Sequence, residues 1–168
     1  MAENENDVSV EGAAGAGDAA NAPQAGVIAQ YIKDLSFENP NAPENFSNQA
    51  AQQPGIDVNV NVNGRKVDED VYEVVLNIAV TAKKEDGSNV FVCELAYAGL
   101  FGLRNIPEDA MGPFMLVQAP TILFPFARRV IADATRDGGY PPLMLEPIDF
   151  MALYQQQQQQ AAANQPAN

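Results

Sequence analysis

The sequence predicts an α+β fold: a four-stranded antiparallel sheet with two C-terminal helices packed on one face. Three observations predict it. From Asp70 to Leu103 two long arms alternate with period two around a turn. Ile56 to Gly64 alternates cleanly. Beyond Pro107 the apolar residues switch to the helical period.

The chain opens on Ala, Gly, Asn and acids, with Glu3, Glu5, Asp7, Glu11 and Asp18 and no basic residue as far as Ala25. Such a segment buries too little apolar surface to offset the cost of ordering. It also lacks the basic start of a secretory signal. Residues 1–25 are therefore expected to be a disordered acidic tail, 26–154 a single α+β domain, and 155–168 a flexible Gln/Ala-rich tail.

The first strand is expected over Gly26 to Glu38. Its parity puts Val27, Ala29, Tyr31, Leu35 and Phe37 on one face and Ile28, Gln30, Ile32, Asp34, Ser36 and Glu38 on the other. By spacing alone, Asp34 and Glu38 sharing a side is what an ordinary solvated strand shows. Asn39-Pro40 and Asn41-Ala42-Pro43 end the strand, and Glu44 to Gly55 reads as a polar loop. In the second strand Ile56, Val58, Val60 and Val62 oppose Asp57, Asn59, Asn61 and Asn63, and Asn63-Gly64 is a turn or bulge signal.

In the third strand Tyr72, Val74, Leu76, Ile78, Val80 and Ala82 form the apolar set; Glu73, Val75, Asn77, Ala79, Thr81 and Lys83 form the mixed one. The fourth inverts the parity, with Phe91, Cys93, Leu95, Tyr97, Phe101 and Leu103 apolar. For the apolar sets to share a face, paired numbers must sum to an odd value. A turn centred on Asp86-Gly87 pairs Glu85 with Ser88 and sets Val80 opposite Cys93, Ile78 opposite Leu95, Leu76 opposite Tyr97 and Tyr72 opposite Phe101.

Pro107-Glu108-Asp109 opens a helix, with proline early and acids in the first turn. Met115, Leu116, Ala119, Ile122, Leu123, Phe126, Val130 and Ala134 continue the helical period, Pro120 and Pro125 are expected to break or kink it, and Gly138-Gly139 stops it. Its stripe is too wide for one sheet face, which predicts an oligomer. The stretch from Ala110 to Ala127 carries no charge but holds Pro113, Pro120 and Pro125 and falls short of the ~20 apolar residues of a bilayer span, so it is expected to be buried in protein. Tyr140 to Pro147 is extended. Asp149 then caps a last helix that starts at Phe150 and fades after Tyr154, with Ile148 and Leu153 as a staple.

The 168 residues hold 9 Lys plus Arg against 22 Asp plus Glu, a net charge of −13. That surface repels nucleic acid and anionic membranes and suits a basic protein partner. With no His, the usual general base and the commonest metal ligand are missing. The single Cys93 sits on an apolar strand face, excludes an internal disulfide and fits a reducing cytosol. No metal-spaced cluster, Gly-rich phosphate loop or nucleophile elbow is present, so no catalytic residue, metal or cofactor is expected. Two function classes remain open on the residues alone: a binder of non-native chains, and a carrier of a small hydrophobic ligand in a sheet-and-helix pocket.

Four stretches carry a family resemblance: Asp34-Leu-Ser-Phe-Glu-Asn-Pro-Asn-Ala-Pro43, Asp70-Val-Tyr-Glu-Val-Val-Leu76, Phe91-Val-Cys-Glu94 and Ile122-Leu-Phe-Pro-Phe-Ala-Arg128. In order and spacing, from about Tyr31 to Tyr154, the chain resembles the bacterial protein-export chaperone family SecB. The resemblance implies a cytosolic homotetramer, a dimer of dimers with helices sandwiched between two sheets. It implies an ATP-independent holdase for unfolded precursors of exported proteins that delivers them to the SecA ATPase. It also implies a SecA contact at Asp34, Glu38 and Glu94, with Val92 as apolar neighbour. Val58, Val60, Val62, Leu143, Leu145 and Phe150 are expected to line the client groove, and Cys93, Leu95, Tyr97, Ile122 and Phe126 to lie at the oligomer interface. The chain departs from the family in having Val92 for Leu and Leu95-Ala96-Tyr97 where the family is polar.

Overall fold

The computed structural model describes residues 20–47 and 53–163. The acids of the expected tail, Glu3 to Asp18, lie outside the described residues. Four strands, β1 (Gln24–Glu38), β2 (Gly55–Asp68), β3 (Val71–Lys83) and β4 (Asn89–Arg104), form one antiparallel sheet in the order β1-β4-β3-β2. β1 begins two residues inside the expected tail. The connection to β2 contains a helical turn, α1 (Glu44–Ser47), where a polar loop was expected. That turn is held by Asn45, which is buried and donates to the Val90 carbonyl at 3.3 Å, and by Phe46 against Tyr140.

The β3–β4 pairing follows the predicted register: Val80 faces Cys93, Ile78 Leu95, Leu76 Tyr97 and Tyr72 Phe101. The turn itself differs. A register shift after Ala82 sets Lys83 opposite Asn89, and the Lys84 amide donates to the Ser88 carbonyl at 2.9 Å. Gly87, at φ +84°, supplies the left-handed residue, and the Asp86 carboxylate accepts from the Ser88 amide and hydroxyl. β2 runs on to Asp68 rather than ending at Asn63-Gly64. Gly64 marks a close approach instead of a turn, since a Cβ there would lie 3.0 Å from the Met115 sulfur.

β1 corrects the simple parity. Phe37 and Leu35 oppose Cys93 and Leu95 on the helix side, but irregularities at Lys33 and Ile28 each insert a residue. The first puts Ile32 opposite Tyr97 and turns Tyr31, opposite Ala98, to the open face; the second returns Val27, opposite Phe101, to the helix side.

The helical stretch from Glu108 to Asp137 is continuous: α2 (Glu108–Pro113), a π-turn (Phe114–Gln118) and α3 (Ala119–Asp137). The expected break at Pro120 becomes this π-turn. The Ala119 amide donates five residues back to Phe114, opening room for a ring that lacks the N–H of a regular turn. Pro125 lies on the exposed side of α3, where the carbonyl it leaves without a donor can meet water. The stretch is long and apolar enough to cross a membrane by length and composition. Here it lies on the sheet, burying Leu123, Ala127 and Ile131 against β3 and β4, with Phe114 edge-on to Phe101.

Past Gly139, at φ +94°, the chain runs extended along the core, and the Leu143 amide donates to buried Thr135 at 2.9 Å. Asp149 caps α4 (Phe150–Ala163) by accepting from the Ala152 amide. This helix extends through the glutamines, nine residues beyond the expected end at Tyr154, because Gln and Ala are good helix formers even with no face to bury.

Candidate functional site

The two faces of the sheet differ. The helix side is apolar; it is covered over β3 and β4, while Val27, Ile32 and Leu35 on β1 and Ile56 and Val58 on β2 stay exposed at the edges. The open side carries the mixed positions, and there the acidic residues come together. Glu38 is opposite Val92, Ser36 opposite Glu94, and Asp34 opposite Ala96. Asp34, Glu38 and Glu94 are exposed and Val92 is half-buried, so the four residues form one patch on neighbouring strands. Asp34 and Glu94 also line a cavity of about 250 Å³ with Asn59, Asn61 and Asn77.

Beside this patch lies a feature that sequence reasoning missed. Glu73 points to the open side of β3 yet is only 4% exposed. Its carboxylate accepts from the Tyr31 hydroxyl at 2.6 Å, from Lys33 at 3.0 Å and from Arg65 at 2.7 Å. The Tyr31 hydrogen bond, then those of Lys33 and Arg65, hold its pKa down at about 2; burial opposes them. The same bond raises the Tyr31 hydroxyl. Lys33 and Tyr31 reach across β4, and the small side chains of Ala96 and Ala98 leave room beneath them. The signal was an acid between Tyr72 and Val74 near the start of an otherwise apolar strand, but parity alone had placed Tyr31 on the other face.

The expected client groove is partly corrected. Val58 is exposed at 45%, and Val60, Val62 and Leu143 are half-buried. Leu145 and Phe150 instead belong to the core, at 5% and 3% exposure, Phe150 packing edge-on against Phe124. In the extended segment neighbouring residues point opposite ways, so Met144 is the exposed member, joined by Met151. Ile56 and Val58 are further exposed apolar residues, on the edge strand β2.

Of the expected interface residues, Cys93, Leu95 and Tyr97 are covered by the chain's own helices, which corrects their assignment: their side chains are protomer core. Burial, with Glu94 adding to it, pushes the Cys93 thiol up to about 11. Ile122 and Phe126 face outward from α3 at 39% and 48% exposure.

Comparison with known proteins bears on this arrangement. Residues 18–161 match the family model described as SecB, preprotein translocase subunit SecB. The chain belongs to the SecB family. A SecB protein-export protein of Rhizorhabdus wittichii is 56% identical over 148 residues, covering 86% of this chain and 87% of the relative. The SecB of Zymomonas mobilis is 54% identical over 143 residues, 85% of each. Among solved structures, the SecB-like chaperone of Mycobacterium tuberculosis, in complex with a ChAD peptide from an antitoxin, superposes with a TM-score of 0.61 at 15% identity, covering 74% of this chain and 90% of that one. That likeness is one of fold. As a SecB-family member the protein is a chaperone of protein export, and its SecB motifs fall on the elements just described: the Asp34 motif on β1, the Glu94 motif on β4 and the Ile122 motif on α3.

Proposed function

We propose that the protein is an ATP-independent cytoplasmic holdase that binds unfolded precursors of exported proteins and delivers them to SecA. The observation that carries this reading is the division of labour between the faces. Carboxylates gather on the open side of the sheet, while exposed apolar residues lie along the β2 edge and the extended segment. An unfolded client offers apolar side chains that a native protein hides, so Ile56, Val58, Met144 and Met151 suit it, the methionines adapting to varied shapes. No nucleotide or cofactor enters this binding.

Asp34, Glu38 and Glu94 are assigned to SecA docking, with Val92 as their apolar neighbour. Carboxylates on a flat sheet suit a basic partner and speed its association in a salt-dependent way. The assembly proposed is a homotetramer, a dimer of dimers. Two uncovered sheet edges and the outward Ile122 and Phe126 support it, since each is surface that a second copy would bury. The small-ligand carrier is not adopted: the cavities on the open face are shallow and open to solvent, and charged groups (Lys33, Asp34, Arg65, Glu73 and Glu94) stand among their lining residues.

The test is titration of SecA against wild type and Glu94→Lys at two salt concentrations, alongside binding of an unfolded precursor. Glu94→Lys is expected to weaken SecA binding and flatten its salt dependence while client affinity stays the same. Equal SecA affinity and salt slope for both proteins would remove the docking assignment.

A further inference from the structure

The irregularity at Lys33 brings unlike charges together. In a regular strand successive side chains point to opposite faces. Here Ile32 pairs with Tyr97 and Asp34 with Ala96, so Lys33 is the inserted residue. Lys33 and Asp34 consequently line one and the same recess of the open face, a cavity of about 360 Å³. Arg65 and Glu73, opposite each other on β2 and β3, line it as well. A carboxylate assigned to docking thus shares its recess with two cations.

Neither cation pairs with it. The Lys33 ammonium donates to both oxygens of Glu73 at 3.0 Å, and the Arg65 guanidinium donates to Glu73 Oε2 at 2.7 Å. Among the described residues Asp34 makes no ion pair, although Lys33 precedes it in the chain and stands beside it in the recess. The choice has a physical reason. Glu73 is nearly buried and Asp34 is exposed, and an ion pair is screened less away from water. The charges of Lys33, Arg65, Asp34 and Glu73 cancel. With Glu73 neutral, the recess would carry one positive charge in excess, and Lys33 would be free to turn to Asp34.

We infer that Glu73 is a positioning residue of the docking face: it draws Lys33 and Arg65 towards the middle of the sheet and so leaves Asp34 unpaired for a basic partner. This rests on the docking reading above and adds to it a residue that acts only through its neighbours. The competing role is purely structural. If Glu73 does no more than tie β1 and β2 to the sheet, removing Lys33 in addition to the Glu73 charge takes away a further tie and restores nothing.

The experiment titrates purified SecA against wild type, Glu73→Gln, Glu73→Gln/Lys33→Met and Glu94→Lys at two salt concentrations, at a temperature where thermal scans show all four folded. Glutamine still accepts the Tyr31 hydroxyl, and methionine keeps the apolar stem of the lysine, so β1 stays in place. Glu73→Gln is expected to bind SecA roughly three- to fivefold more weakly and with a shallower salt dependence, because the freed Lys33 masks Asp34. The double variant should return to about wild-type affinity, since the masking ammonium is gone and Asp34 remains. If Glu73→Gln binds like wild type while Glu94→Lys is weakened, Glu73 has no part in docking and the docking assignment stands. If the double variant is as weak as Glu73→Gln or weaker, Glu73 acts through the fold alone and the inference is lost. If neither Glu73→Gln nor Glu94→Lys differs from wild type, the docking reading falls and this inference with it.

Discussion

Glu73 is where single-residue chemistry matters most. It is a nearly buried carboxylate whose charge is kept by one tyrosine and two cations arriving from β1 and β2, so it ties both edge strands to the middle of the sheet. Removing the charge leaves Lys33 and Arg65 without their anion. Glu73→Gln is expected to cost ~1–3 kcal/mol, held to that range because Lys33 and Arg65 are themselves well exposed. The pH dependence follows from the direction of its shift. The folded-state pKa, about 2, lies below the ordinary 4.5, so the stabilisation is complete above 4.5 and drains away as pH falls from there towards 2. Thermal unfolding between pH 2 and pH 6 should show wild type losing stability over that window and Glu73→Gln losing less. Cys93 gives a second residue-scale expectation. It is fully buried with its pKa raised to about 11, so a bulky thiol reagent at neutral pH should label it only on unfolding. Fast labelling of the native protein would contradict the placement of β4.

At the scale of elements, the contact between β4 and α3 depends on a residue with no side chain. A Cβ at Gly99 would lie 2.7 Å from the Phe101 ring and 2.8 Å from a Leu123 methyl, in the closed interior. Gly99→Ala therefore overpacks the sheet–helix layer and is expected to destabilise by ~1–3 kcal/mol, read as a lower denaturant midpoint with an unchanged slope. Gly64→Ala meets the Met115 sulfur at 3.0 Å and its Cβ at 3.2 Å, a looser fit than at Gly99, and should cost less, because the thioether end can turn aside and only the Cβ must give. The contrast between the two variants tests whether a closed interior or a compliant side chain sets the cost.

For the whole molecule, one protomer leaves apolar surface that a second copy would cover. Ile122 and Phe126 lie one turn apart on the outer side of α3. Ile122→Glu/Phe126→Glu is expected to leave the protomer folded, since neither side chain enters its core, and to reduce the native mass by light scattering below that of the wild type, for which the proposed assembly predicts a tetramer. A wild-type monomer at micromolar concentration would refute the assembly itself. An unchanged mass in the variant would place the contact elsewhere.

The strands, the inverted parity of β3 and β4 and hence their register were readable from the sequence, because period two is a local property and burial on one face punishes a one-residue slip. Helix position was readable for the same reason, as was the coincidence of Asp34, Glu38 and Glu94 on one parity each. What required tertiary structure was everything in which two distant elements meet. The Lys33 irregularity inverts Tyr31 because Tyr31 reaches Glu73, which lies 42 residues along the chain. Pro120 is absorbed by a π-turn because the helix is held against the sheet on both sides of it. Leu145 and Phe150 are core, and Met144 is not, because the extended segment lies against the core and only alternate side chains can face inward. Period and composition state which residues share a face. Only packing decides which face is covered, and that is why Cys93, Leu95 and Tyr97 belong to the protomer while Ile122 and Phe126 remain outside it.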